Sequence, residues 1–232
     1  MSQPPSYVVS ILIGFSAQRN TNRGNRTMNL SKLAPLVLFL VMGNSYADSY
    51  KHITESVSSD QFERLKLELT VGQLDIEVWD EDTVEIDIEL KAERSWLTWT
   101  RRKVEEIDLN IEDNGDELYL GIDERAVKQQ WRLKVPAKLA MEIEMGVGEV
   151  SIKGLHRSLA LELGVGSVSV YTDDVDFKEI VASVGVGDAT LRGFGKGVDN
   201  ERRFVSADAY YEGDGEHQIQ IELGVGEVSI QR

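Results

Sequence analysis

The sequence predicts an all-β protein: a short β-solenoid of two-strand coils, preceded by an antiparallel hairpin region. Apolar and polar residues alternate with period two along most of the chain after residue 61. A Gly-Val-Gly unit recurs at intervals of about twenty residues, which is typical of β-helix-like stacked repeats. No segment after residue 47 has the periodicity of an amphipathic helix. We therefore expect a hairpin region over residues 48–140 and solenoid repeats over residues 141–232.

Residues 28–47 have the parts of a cleavable signal peptide. Lys32 supplies the positive charge, and residues 33–42 form an apolar run too short to span a bilayer comfortably. Small residues lead up to Ala47, so cleavage would leave Asp48 as the new N-terminus. This predicts export to the periplasm, or secretion or display at the cell surface, with no membrane span after cleavage. The alternative is an uncleaved membrane anchor.

Residues 1–27 precede the signal peptide and are expected to be a start-site artefact or a disordered leader. A natural start at Met28 would place the signal peptide at the N-terminus, where signal peptides occur. These residues are left out of the predicted fold.

The hairpin region consists of half-buried strands with charged residues on the opposite face, for example Glu85, Asp87 and Glu89. Asn114-Gly115 predicts a tight hairpin, because both residues tolerate positive φ. A second turn is expected at residues 79–82.

A basic, aromatic stretch interrupts the alternation and is a candidate partner-binding loop. Aromatic and cationic side chains together suit a glycan, a lipid headgroup or an acidic partner. The alternative is that the tryptophans cap the core while the cations are solvated. The residues concerned are Arg94, Trp96, Trp99, Arg101, Arg102 and Lys103.

Four nearly identical segments define the repeat: residues 141–152, 159–170, 180–191 and 219–230. Residues 203–213 are expected to be a degenerate copy, with Ala207 at the glycine position. Along each unit the apolar phase slips by one residue at the second glycine, so we expect two strands that meet at a corner and face one core. Glycine accepts the backbone angles of such a corner. The predicted corner glycines are Gly72, Gly148, Gly166, Gly187 and Gly226.

Stacking of the repeats would align their outward residues in columns. One column would contain Glu144, Glu162, Ser183 and Glu222, and another Glu149, Ser167, Asp188 and Glu227. Such columns could bind divalent cations or could be a solvated acidic face, and the sequence leaves both open. The chain ends directly after the last repeat, which predicts an open strand edge and self-association through it.

The acidic composition excludes nucleic acid as a partner. The sequence has 40 Asp and Glu against 25 Lys and Arg, and its first 47 residues contain no acidic residue. The rest of the chain therefore carries the whole acidic excess, which repels anionic polymers and attracts cations or basic partners.

The sequence contains no motif typical of a catalytic site, a histidine or cysteine metal centre, or a cofactor site. The chain has no cysteine. The three histidines, His52, His156 and His217, have no metal-ligand spacing, and none neighbours a nucleophile. Gly-Val-Gly lacks the third glycine and the following helix of a dinucleotide fingerprint.

The order of these parts resembles the bacterial putative-adhesin family of unknown function, whose β-helical members have Gly-rich strand repeats. The resemblance rests on a signal peptide, the segment IEVWDEDTVEIDIEL read as a hairpin, LKVPAKLAMEIE, and serial GVGEVSI units. It implies a non-catalytic, adhesin-like binding or scaffold module of the bacterial envelope, with an envelope protein or a glycan as partner. One alternative is a periplasmic regulatory partner of an envelope-stress sensor. Another is a carbohydrate-active β-helix enzyme.

Overall fold

The computed structural model describes residues 50–92, 104–124, 127–195, 197–203 and 205–232. All of them belong to one compact unit, Tyr46–Arg232. The predicted signal peptide and the predicted loop over residues 94–103 lie outside the described residues. Within the described ranges no helix is long and apolar enough to cross a membrane.

The described residues form twelve β-strands and one turn of 3₁₀ helix, Val104–Glu106, so the all-β prediction is confirmed. The strands are β1 Tyr50–Ser58, β2 Arg64–Trp79, β3 Thr83–Ala92, β4 Asn110–Asp113, β5 Glu117–Ile122, β6 Val127–Pro136, β7 Ala140–Leu155, β8 Leu159–Thr172, β9 Glu179–Arg192, β10 Val198–Arg203, β11 Ser206–Glu212 and β12 Gln218–Gln231.

All twelve strands belong to one mixed sheet, which is not closed. Its order is β1-β3-β6-β2-β7-β8-β12-β9-β11-β10, and β4 and β5 form a branch on β2. Strands from both predicted regions therefore share one sheet. The predicted Asn114-Gly115 hairpin is present between β4 and β5, where the Asn114 N–H bonds to the Glu117 carbonyl and Gly115 has φ of 85°.

Five parallel strands carry the repeat. β2, β7, β8, β12 and β9 pair in register, so Gly72, Gly148, Gly166, Gly226 and Gly187 stand side by side. Gly72, one of the predicted corner glycines, aligns with Gly148, so β2 is a divergent copy of the repeat.

Each repeat is one continuous strand of 14 to 16 residues that changes its buried face, and not the two separate strands that the sequence predicted. In β8, Leu161 and Leu163 are buried before the glycines, and Val168 and Val170 after them. All four belong to the same hydrophobic cluster. A strand that shifts its phase and still serves one core must bend around it.

The sheet splits beside β2. The first half of β2 pairs with β5, and its second half pairs with β6. Buried Gln129 fills the gap: its amide donates to the Ile122 and Glu124 carbonyls at 3.3 Å and accepts from the Trp131 indole at 2.9 Å. β5 and β6 thus separate around a satisfied polar network.

Three further sequence expectations are wrong. β12 is not an open edge, because it pairs with β8 on one side and β9 on the other. Residues 203–213 are not a further parallel copy: β11 is antiparallel to β9, and Ala207 faces Val184 rather than a glycine. β2 and β3 are joined by the expected turn but do not pair as a hairpin, because β6 lies between them.

Candidate ligand groove on the acidic face

The outward side chains before the Gly-Val-Gly units form an acidic column. Parallel strands in register repeat the same position about every 4.8 Å across the sheet. Ser183 and Asp208 extend the column on β9 and β11. Its carboxylates, which we call the acidic column, are Glu68, Glu144, Glu162, Glu222 and Asp208.

Beside the acidic column lies a floor without side chains. The floor positions are Gly146, Gly164, Gly224 and Gly185, with Thr70 at the equivalent position of β2. A Cβ on Gly164 would lie 2.5 Å from the Gly146 carbonyl oxygen, and one on Gly224 2.5 Å from that of Gly164. Real Cβ atoms do not approach carbonyls so closely, so only glycine fits here. The bare backbone leaves a groove of about 980 Å³ that extends from Tyr119 to Asp208.

The predicted corner glycines form a second column, two residues further along each strand than the floor glycines. Gly148, Gly166, Gly187 and Gly226 have φ between 143° and 154°, a region that favours glycine. A Cβ on any of them would overlap the backbone of the neighbouring strand. Gly72 does not have positive φ, but its Cβ would overlap the Gln129 carbonyl.

Between the two glycine columns lies a ridge of exposed valines. Val147, Val165, Val225 and Val186 are 45 to 49% exposed, an unusual exposure for stacked aliphatic side chains. Each directly follows a floor glycine in the chain, but these valines are not among the residues that line the groove. The groove itself is lined by the acidic column and the glycine floor.

At one end of the acidic column the carboxylates have partners within the protein. Lys66 Nζ lies 2.7 Å from both Glu142 and Glu144, and these carboxylates raise the pKa of Lys66. The Tyr119 hydroxyl donates to Glu68 at 2.5 Å. Burial, and then this hydrogen bond, raise the pKa of Tyr119 to about 12. These groups hold their protons at neutral pH and support the carboxylates at the β2 end.

At the other end of the acidic column, the side chains that the structure describes supply no basic partner. No lysine or arginine among these side chains contacts Glu162, Glu222 or Asp208. Glu222 accepts a hydrogen bond from the Gln220 amide at 3.1 Å. Negative potential is therefore concentrated over β8, β12, β9 and β11.

A second depression, of about 790 Å³, lies over β1, β3, β6, β2 and β7 and is charge-paired. Arg132 lies 2.9 Å from Asp87 and 3.0 Å from Glu89, and Lys134 lies 2.9 Å from Glu85. The His52 imidazole contacts Asp87 at 2.7 Å, and this hydrogen bond, with that of Arg132, lowers the pKa of Asp87. Because these charges satisfy one another, this face offers less to a charged ligand.

The structure describes only some of the candidate site residues that the sequence predicted. Arg94, Trp96, Trp99, Arg101, Arg102 and Lys103 lie outside the described residues. Both predicted outward columns form, with β12 inserted between β8 and β9. No group of three histidine, aspartate or glutamate side chains within the described ranges could hold a metal ion. The glycine floor was missed, although the first glycine of each repeat is visible in the sequence.

Comparisons with known proteins give structural neighbours. No family model and no curated sequence match the chain. It is similar to a putative cell adhesion protein from Clostridium sporogenes, with 18% identity, 78% of this chain and 99% of that chain covered, and a TM-score of 0.46. A putative adhesin from Parabacteroides merdae has 12% identity, coverage of 78% and 77%, and a TM-score of 0.24. A putative adhesin from Bacteroides fragilis has 10% identity, coverage of 78% and 97%, and a TM-score of 0.21.

Proposed function

We propose that the mature chain is an exported, non-catalytic binding module of the bacterial envelope or cell surface. In this proposal the groove holds an extended, cationic segment of a partner protein. The observation that carries the proposal is the run of carboxylates that have no basic partner among the described residues and lie beside a glycine floor. The export part rests on residues 28–47 of the sequence, and the adhesin-like class on the order of motifs.

The electrostatics of the groove favour a cation. Like charges directly opposite on neighbouring strands destabilise a sheet, yet Glu162 and Glu222 face each other in register. A lysine or arginine between them would relieve this repulsion and gain two charge-assisted hydrogen bonds. At the β2 end, Lys66 already binds two carboxylates at once, Glu142 and Glu144, which lie two residues apart on β7.

The shape of the groove favours an extended chain. It crosses seven strands from β5 to β11, a span of about 29 Å at the usual strand spacing. An extended peptide of about nine residues has this length. The bare floor lets a ligand backbone approach closely, because no side chain stands at the floor glycines.

A pair of matched double variants tests the groove. The probe is a fluorescent oligolysine peptide of about nine residues, with anisotropy measured at low and at about 0.15 M salt. Glu162→Gln with Glu222→Gln should weaken binding about tenfold, equivalent to about 1.4 kcal/mol. The control is Glu149→Gln with Glu227→Gln, which removes the same charge from the column beyond the ridge. It should change binding less than about twofold, as expected for exposed charges outside the contact.

Equal weakening by the two pairs would overturn the groove proposal, because binding would then follow net charge alone. A tight complex of the unaltered protein with oligoglutamate would also contradict it. Thermal unfolding of both variants checks that neither has lost its fold.

Export is tested separately. The protein isolated from a periplasmic extract or the culture medium of its bacterial host should begin at Asp48, as found by N-terminal sequencing. Recovery in the cytoplasm with residues 28–47 retained would contradict export and leave the groove proposal untouched.

A further inference from the structure

The last strand of the chain occupies an interior place in the sheet. β8 and β9 follow each other in the sequence and both are parallel to β12, yet β12 lies between them. β8 and β9 do not pair with each other, so without β12 a slot would lie between them. β12 closes it by pairing with both strands along its length.

The slot is apolar inside and has unsatisfied backbone groups along both edges until it is filled. Ile219, Ile221, Leu223, Val228 and Ile230 are all almost completely buried. Without them the core would be open, and the facing edges of β8 and β9 would lack hydrogen-bond partners. An unpaired strand edge is a template for another chain.

Only a Gly-Val-Gly strand fits the slot. A side chain at Gly224 would meet the Gly164 carbonyl, and one at Gly226 would overlap the Gly166 carbonyl. The neighbouring β9 also needs β12 to approach closely, since a Cβ on Gly185 would lie 2.8 Å from the Gly224 carbonyl. The repeats of this same chain supply such strands: residues 144–152 and 222–230 differ at a single position.

The segment that joins β11 to β12, residues 213–217, decides whether β12 fills its own slot. It contains Gly213 and Gly215 and is held at its ends: the Gly213 N–H bonds to the Lys178 carbonyl, and the Lys178 N–H bonds to the His217 carbonyl. Asp176 accepts hydrogen bonds from the Tyr211 hydroxyl at 2.7 Å and the Asp214 N–H at 3.2 Å. These contacts bend the connection back towards its own sheet.

We propose that the slot between β8 and β9 also accepts β12 of a second copy, so that two chains exchange their C-terminal strands. The exchanged and unexchanged forms make the same contacts within the slot and differ only at residues 213–217. Protein concentration and the length of this connection therefore set the balance between them. An exchanged dimer presents two grooves and would gain avidity for a partner with repeated cationic segments.

Engineered cysteines test the exchange, since the described chain contains none of its own. Ser169 and Ser229 face each other on β8 and β12. Full-length Ser169→Cys chains and differently tagged Ser229→Cys chains are unfolded, mixed, refolded at low and high concentration and oxidised. A disulfide between the two chains is expected only where β12 of one lies beside β8 of the other, and its yield should rise with concentration.

The matched control pairs Ser229→Cys with Asp75→Cys, which lies in the same row but on β2, away from β12. This pair should give no disulfide above the level of random collision. Deletion of Asp214 and Gly215 should raise the exchanged fraction at least severalfold, because a short hinge disfavours return to the same sheet. Equal yields in both pairs, or no mixed disulfide even with the shortened connection, would overturn the proposal.

Discussion

Charges are arranged in opposite ways on the antiparallel strands β3 and β6 and on the parallel strands β8 and β12. Between β3 and β6, acids face bases: Asp87 faces Arg132, and Glu85 faces Lys134. Between β8 and β12, Glu162 faces Glu222. The antiparallel pair has unrelated sequences, so each position can hold a complementary residue.

The repeat does not allow a complementary residue at each position. Parallel copies in register place each residue beside its own equivalent, so an outward glutamate becomes a row of glutamates. A row of like charges costs stability unless something neutralises it. At the β2 end Lys66 does so, because β2 is the most divergent copy. An external cation therefore gains most at the part of the acidic column that the described residues leave uncompensated.

The largest loss of stability is expected from a variant that disturbs the register of the parallel repeat strands. Gly166→Ala would force a Cβ against the Gly148 carbonyl and into an unfavourable φ of 150°. We expect unfolding free energy to fall by about 3 kcal/mol, near the upper end for glycine-only conformations. Urea or thermal unfolding measures this loss.

The control for that variant is Gly115→Ala in the β4–β5 turn. Gly115 has φ of 85° but nothing within 4 Å of a Cβ, so the cost should be only about 1 kcal/mol. Similar losses in both variants would show that backbone angle alone, and not close approach of the strands, requires glycine at the corner.

Substitution of a single carboxylate on each strand pair should change the unfolding free energy by a smaller amount, with opposite signs for the two pairs. Asp87→Asn removes a partner of Arg132 and should lower unfolding free energy by about 0.5 kcal/mol, as for an exposed ion pair. Glu162→Gln removes like-charge repulsion and should raise it by about 0.3 kcal/mol. Unfolding at neutral pH and low salt measures both, and destabilisation by Glu162→Gln would contradict our account of the acidic column.

The pH dependence of the Asp87 effect follows from its lowered pKa. A carboxyl whose pKa is lower in the folded state contributes stability above its unfolded pKa, near 4. That contribution disappears as the pH falls through the folded pKa. The difference between the unaltered protein and Asp87→Asn should therefore be present at pH 7 and shrink as the pH falls below about 4.

Local patterns in the sequence are sufficient to predict the strands, the repeat and the alignment of its columns. Alternation with period two marks a half-buried strand wherever it lies, and a glycine at the same place in each copy brings equivalent residues together. The all-β class, the Asn114-Gly115 hairpin and the alignment of Gly72 with Gly148 all follow from such patterns.

The choice of neighbouring strands depends instead on tertiary packing. The repeats have almost the same sequence, so local patterns cannot say whether β9 or β12 lies beside β8, and chain order favoured the wrong one. Likewise, the turn after Trp79 suggested a hairpin, but β6 pairs with both β2 and β3 and lies between them. Buried Gln129 of β6 also donates to the Ile122 carbonyl at the end of β5. Such choices are made by contacts between residues far apart in the chain, which a period of two or of twenty residues does not record.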